Sequence, residues 1–192
     1  QPAMQPARQD LPVVPGTTYR DTVRLMQPDY AYKLITQISG APAVLSVPLH
    51  GLAGDWPVWV RGVAGLPAIN REPPNALPHR AKRLDDNALE VNAVSAEGAR
   101  PEGGQLIYRL PVDIAAAEVR MRFSGLQGDD LVLEIGSGLE RPAPGTVTRA
   151  LTPEQTARLV GDWRYTFEVE FADGTITRYF EGGPAKAGGC HG

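Results

Sequence analysis

Cysteine is almost missing from this chain. Its 192 residues hold one, Cys190, which excludes an internal disulfide and fits synthesis in a reducing cytoplasm. Histidine is scarce. His50, His79 and His191 are the only three, none stands four residues from another, and no Cys/His cluster with zinc-ligand spacing exists. His191 adjoins Cys190, but in a glycine-rich tail that offers no rigid support for chemistry. Apolar runs fall far short of the ~20 residues a membrane helix needs. Basic surplus is absent too. Lys and Arg number 19 against 22 Asp and Glu, a net charge of −3, which offers nothing to nucleic acid or to an anionic membrane.

Catalytic signatures are equally lacking. No GxSxG elbow and no GxxxxGK[ST] phosphate loop occurs. Glu134-Ile135-Gly136-Ser137-Gly138 contains Gly-Ser-Gly without the elbow spacing and reads as a turn. Asp85-Asp86 and Asp129-Asp130 fall at expected turns, where Asp bonds its own backbone. Neither pair follows the alternating oxygen pattern of a calcium loop. His79-Arg80-Ala81-Lys82-Arg83 alternates along a strand and runs straight into Asp85-Asp86, which makes it a mixed-charge face. The expectation is a chain without catalytic, cofactor-binding or metal-binding residues.

What is present is glycine, proline and short β-rich runs. Gly 21 and Pro 18 accompany 42% hydrophobic residues, the mixture of many short strands joined by tight turns. Residues 1–16 carry four prolines and no hydrophobic period. They read as an extended arm that orders only against a neighbour, and Pro12 and Pro15 on it are candidate interface residues. From Thr17 strand-like runs follow: TTYRDTVRL, then AYKLITQI after a break at Gln27-Pro28-Asp29, then AVLSV, PVWVRGV, HRAKRL and ALEVNAV. In PVWVRGV, Val58 and Val60 share one face and Trp59 and Arg61 the other. Trp56 and Trp59 complete the candidate interface set, because exposed aromatics anchor interfaces.

Residues 95–104 are polar, small and rich in Gly and Pro, and they read as a domain boundary. A second strand series follows: QLIYRLPVDI, AEVRMRF, DLVLEI and TVTRAL. Thr152-Pro153-Glu154-Gln155 opens a two-turn helix, with Thr152 as cap, Pro153 at the first helical position and Gln155 closing a capping box. DWRYTFEVEF then places Tyr165, Phe167, Val169 and Phe171 on one face. Asp173-Gly174 turns the chain as a two-residue hairpin loop, and TITRYF returns. Residues 183–192 have no reason to fold.

Two segments resemble known families. Residues 43–70, AVLSVPLHGLAGDWPVWVRGVAGLPAIN, resemble a recurring β-module of phage tail and fibre proteins, one related to a half-domain of ubiquitin-activating enzymes. The matching residues are His50-Gly51-Leu52, Gly54, Val58, Val60, Gly62-Val63, Gly65 and Asn70. Residues 104–182 resemble the immunoglobulin-like N-terminal module of phage baseplate upper proteins, through AEVRMRF, DLVLEI, LTPEQTARL and GDWRYTFEVEFADGTITRYFEGG. These resemblances imply an all-β protein: an arm over 1–16, a small β-barrel-like domain over 17–98, an immunoglobulin-like sandwich over 104–182 and a flexible tail over 183–192. They imply a non-enzymatic structural component of a tailed-phage virion, assembled in the host cytoplasm. Its partners would be other virion proteins and copies of itself, at tail or baseplate. Capsid decoration or a head fibre is the alternative, and a receptor- or carbohydrate-binding module with Trp56 and Trp59 on a shallow groove is another.

Overall fold

Alternating apolar and polar residues bury one side of a strand only when other strands extend the sheet beside it. This chain does so twice. A computed structural model describes residues 5–186, and 51% of the chain is strand against 4% helix. It divides into two compact units, one made of residues up to Leu25 and from Asp113 onward, the other of Met26–Val112. The second is therefore an insertion within the first.

The first unit begins with β1 (Ala7–Arg8) and β2 (Tyr19–Arg24). The insertion contributes β3 (Met26–Leu34), β4 (Gln37–Ser39), β5 (Ala43–Ser46), β6 (Trp56–Arg61), β7 (His79–Asp85), β8 (Ala88–Val91) and β9 (Gln105–Pro111). The first unit resumes with β10 (Glu118–Ser124), β11 (Leu131–Ile135), β12 (Gly138–Ala143), β13 (Thr146–Leu151), the helix α1 (Pro153–Ala157), β14 (Arg164–Glu170) and β15 (Ile176–Gly182). The insertion folds as one curled seven-stranded sheet, ordered β3-β9-β6-β7-β8-β5-β4. The first unit is a curled eight-stranded sheet, ordered β1-β15-β14-β10-β11-β12-β13-β2. The all-β, sandwich-like class expected from the sequence is the class found.

Strand alternation sets both cores. Val58, Val60, Leu45, Leu89, Leu106 and Tyr108 fill the inserted unit. In the first unit Val119, Met121 and Phe123 of β10 meet Tyr165, Phe167 and Val169 of β14, each 1% exposed or less, with Met121 opposite Phe167 and Phe123 opposite Tyr165. The helix carries the expected capping box: Gln155 N–H donates to Thr152 Oγ1 at 3.2 Å, and Thr152 N–H donates to Gln155 Oε1 at 2.9 Å.

Several expectations need correction. The boundary at 95–104 lies inside the inserted unit. Ala96 is buried, its N–H donates to Gly40 O at 2.9 Å, and Glu102 exchanges both main-chain bonds with Ala64. Gly65 packs so closely there that a Cβ would stand 2.2 Å from Arg100 O. A polar, glycine-rich stretch here is a stitched loop, because its backbone groups find partners in the turn after β4 and the loop after β6. The break at Pro28 is a bulge within β3, where the register with β9 shifts between Met26 and Tyr30. β12 was not foreseen; its Pro142 sits where the register with β13 shifts. The final hairpin closes on three residues rather than two. Phe171 N–H donates to Thr175 O, Gly174 N–H donates to Phe171 O, and only Gly174 takes positive φ, +86°. That is a turn followed by a glycine bulge.

The arm is part of the fold. β1 pairs in parallel with β15, and Leu11 is 1% exposed. Gln9 N–H donates to Glu181 O and Leu11 N–H to Gly183 O, both at 2.9 Å, while Ala185 N–H donates to Leu11 O at 3.0 Å. Residues 183–185, expected to be loose tail, are thus engaged; residues 187–192, Cys190 and His191 included, lie outside the described residues. A buried polar knot reinforces the join. Arg149, 1% exposed, donates from Nε to Asp21 Oδ1 at 2.7 Å and from Nη2 to Asp21 Oδ2 and to Gln9 Oε1. Tyr165 Oη donates to Gln9 O at 2.6 Å. A buried guanidinium needs such partners to offset its lost hydration.

Candidate functional site

β3, β9 and β6 turn their second face away from the core of the inserted unit. Leu106 and Tyr108 point into that core, so Gln105, Ile107 and Arg109 lie on the opposite side of β9. Register then fixes the rest. Tyr32 and Trp59 flank Ile107 on either side, Tyr30 lies across from Arg109, and Leu34 and Arg61 flank Gln105. Ile107 is 2% exposed although it faces outward, because the aromatics beside it cover it. The outer residues of the face are themselves exposed: Tyr30 is 38%, Tyr32 51% and Leu34 69% exposed.

The face is held rigidly. Tyr30 meets Trp59 edge-on, ring centroids 5.8 Å apart and planes at 80°. The Arg61 guanidinium lies 5.0 Å from the Tyr32 ring centre and that of Arg109 lies 5.9 Å from Tyr30, distances at which a cation is attracted to the ring face. Arg61 Nε and Nη2 both donate to Gln105 Oε1, at 2.9 and 2.8 Å. Arg109 Nε donates to Gln27 O at 2.7 Å. Trp59 Nε1 donates to Ala76 O at 2.9 Å, which ties the proline-rich 72–78 loop to the same face. Exposed tyrosines with pre-positioned arginines are the residue types enriched in interface cores.

Of the expected interface residues, Trp59 is half-buried in this face. Trp56 is not on it. It is 2% exposed and donates from Nε1 to Arg109 O at 2.7 Å, inside the core with Val58 and Val60. An odd spacing of three along a strand puts the two tryptophans on opposite faces, and that signal was present in the sequence. Pro12 and Pro15 are exposed in the first unit. Tyr30, Tyr32, Arg61 and Arg109 were missed; Tyr-Ala-Tyr, aromatic at every second residue, was the available sign.

The residues carrying the tail-module resemblance serve the fold. His50 is 1% exposed; its Nδ1 accepts from Leu52 N–H at 3.0 Å, its Nε2 donates to Asp85 O at 2.7 Å, and its carbonyl accepts from Tyr108 Oη. Asn70 grips Val63 from both sides, accepting its N–H at 3.0 Å and donating to its O at 2.9 Å. His79 is buried and donates to Ile69 O at 2.7 Å; burial holds its pKa below the usual 6.5.

In the first unit, a shallow depression of about 490 Å³ is lined by Glu118, Arg120, Glu134 and Arg141 among others. Arg120 pairs there with Glu118, with Glu134 at 3.9 Å and with Glu170 at 3.4 Å. Exposed charges that neutralise one another in this way contribute little to binding or stability. Among the described residues no group of three or more His, Cys, Asp or Glu could hold a metal ion, and no helix is long and apolar enough to cross a membrane. The chain matches no family model, no curated protein and no solved structure.

Proposed function

We propose that this chain is a structural, non-enzymatic docking component of a tailed-bacteriophage particle, placed at the tail or baseplate. The observation that carries the docking role is the exposed face of Tyr30, Tyr32, Trp59, Arg61 and Arg109 on a rigid sheet. Pre-positioned aromatics and arginines lose little entropy on association, so they serve well as anchors. The phage setting comes from the sequence resemblances of 43–70 and 104–182. Its partners are other virion proteins.

The test is made on assembled particles. Purified particles are expected to contain the chain at a small multiple of the tail symmetry, measured by quantitative mass spectrometry. One copy per capsid subunit would move it to the head, as a decoration or fibre protein. A Tyr30→Ser, Tyr32→Ser, Arg61→Ser variant is expected to fold and to be lost from particles. Absence of the unaltered chain from particles overturns the proposal.

The same face favours one other reading. Tyr32, half exposed, lies beside Arg61 and Gln105, an apolar ring next to hydrogen-bonding groups, which suits a sugar ring. Glycan-array binding that disappears in Tyr32→Ser would select it.

A further inference from the structure

The inserted sheet ends at β3 on one side and at β4 on the other. β4 has three residues and β3 has nine, of which Tyr30–Leu34 run in unbroken register with β9 beyond the bulge at Pro28. A long exposed edge displays unpaired N–H and C=O groups and recruits further strands, which is why most proteins blunt such edges.

The ladder with β9 decides which groups of β3 face outward. Ile35 N–H donates to Gly104 O at 3.1 Å, one step past the Leu34–Gln105 pair. Bonded and non-bonded pairs alternate along an antiparallel ladder. Ala31 and Lys33 therefore spend their main-chain groups on β9, while Tyr30, Tyr32 and Leu34 turn theirs to the open side.

We infer that β3 pairs antiparallel with β3 of a second copy, about a two-fold axis at Ala31. The sequence Asp29-Tyr30-Ala31-Tyr32-Lys33 carries opposite charges at equal distances from its centre. In this register Asp29, the last residue of the bulged stretch, comes opposite Lys33 of the second copy, and Lys33 opposite its Asp29. Neither residue is in an ion pair among the described residues. The outward groups fit the same register, because Tyr30 faces the second copy's Tyr32 and the two exchange both bonds. Alanine on the axis leaves the side chains of the close, non-bonded pair room to approach.

Neighbouring registers that keep outward groups opposite one another are worse. Centring on Tyr30 sets Tyr32 against Pro28, which has no N–H. Centring on Tyr32 sets Lys33 against Ala31 and loses both ion pairs.

The edge of the other sheet shows the contrast. Leu25 N–H donates to Gly145 O at 2.6 Å, so Arg20, Thr22 and Arg24 of β2 face outward by the same alternation. Self-pairing about Thr22 would set Arg20 against Arg24, and like charges directly opposite repel. Centred on its middle residue, β2 opposes its own pairing, whereas β3 is complementary to its own. The pairing also lays the Tyr30 and Tyr32 faces of both copies side by side. It does not depend on the phage reading, since it is measured on the free chain.

Sedimentation equilibrium of the full chain, from low to high micromolar, is expected to show a reversible monomer–dimer equilibrium. Asp29→Lys and Lys33→Asp each place like charges opposite at two symmetric positions and are expected to weaken the dimer about ten-fold or more. The double exchange restores it. Mixing the two single variants yields a heterodimer stronger than either homodimer. Tyr32→Pro, tolerated at an edge whose N–H faces outward, is expected to remain folded by circular dichroism and to be monomeric. A chain that stays monomeric throughout, or a dimer indifferent to the charge reversals, overturns the inference.

Discussion

At the scale of single residues, burial decides which titrations matter. His79 is 2% exposed and its Nδ1 has no partner, so the folded chain resists its protonation and its pKa lies below the usual 6.5. The unfolded chain takes up the proton at about 6.5. In the window below that value the unfolded state binds more protons, so stability falls as pH drops and is complete above it. His79→Gln keeps a donor for Ile69 O and removes the titration. Its unfolding free energy should fall less between about pH 7 and 5 than that of the unaltered chain, read by urea denaturation. Equal slopes would place the acid sensitivity elsewhere. Phe167, Gly174 and Glu168 test packing in the same way. Phe167 is fully buried, and truncation to alanine should cost about 3–5 kcal/mol. Gly174→Val forces a β-branched residue to φ +86°, a strain of about 1–2 kcal/mol. Glu168→Gln touches only an exposed pair with Arg178 and should cost at most about 1 kcal/mol. Damage from Glu168→Gln equal to that from Phe167→Ala would invert the facing of β14.

At the scale of elements, strands announced by alternation were legible and strands held by their neighbours were not. AEVRMRF and DWRYTFEVEF bury every second residue, DLVLEI buries Leu133 at its centre, and the helix was fixed by its own cap. β1 has two exposed residues and no period; it exists because β15 offers an edge. Prolines 6, 12 and 15 mislead about the arm, since the join uses the N–H groups of Gln9 and Leu11, which lie between them. The docking face was half legible for a related reason. Trp59 stands out by type, but Tyr30 and Tyr32 gain meaning only once β9 places Ile107 between Tyr32 and Trp59. Two truncations follow. Deleting residues 1–16 exposes the Leu11 pocket, worth about 1.5–3 kcal/mol in transfer. It also strands the Tyr165 hydroxyl, at about 1–3 kcal/mol. The melting temperature should therefore drop clearly, and an unchanged value would return the arm to a purely external role. A fragment over 104–182 lacks β2, the partner of β13, and Asp21, the partner of buried Arg149. It is expected to lack a cooperative unfolding transition, whereas the same fragment with residues 5–25 supplied as a peptide should regain one.

At the scale of the whole molecule, the decisive fact is that Met26–Val112 is an insertion. A domain can be inserted without disturbing its host when its two ends leave side by side. Here they do: Met26 pairs with Pro111, and Gln27 Nε2 donates to Pro111 O at 3.3 Å. The inserted sheet is complete within those bounds, since every strand it contains lies between Met26 and Pro111. Its core cluster draws only on residues of the same span. The first unit is likewise joined across the sequence gap, because β13 pairs with β2 and β15 with β1. Residues 26–112 expressed alone should therefore fold and unfold cooperatively, with the Trp59 indole N–H still protected from exchange by Ala76 O. The excised unit keeps β3, so it should also show the Asp29- and Lys33-dependent dimer. Limited proteolysis of the full chain should cut in the stretch from Asp113 to Ala116, exposed apart from Ile114, in preference to Arg100, where the loop is stitched to Ala64 and Gly65. Rapid cleavage at Arg100, with 26–112 unable to fold, would mean that the inserted sheet depends on its host for stability.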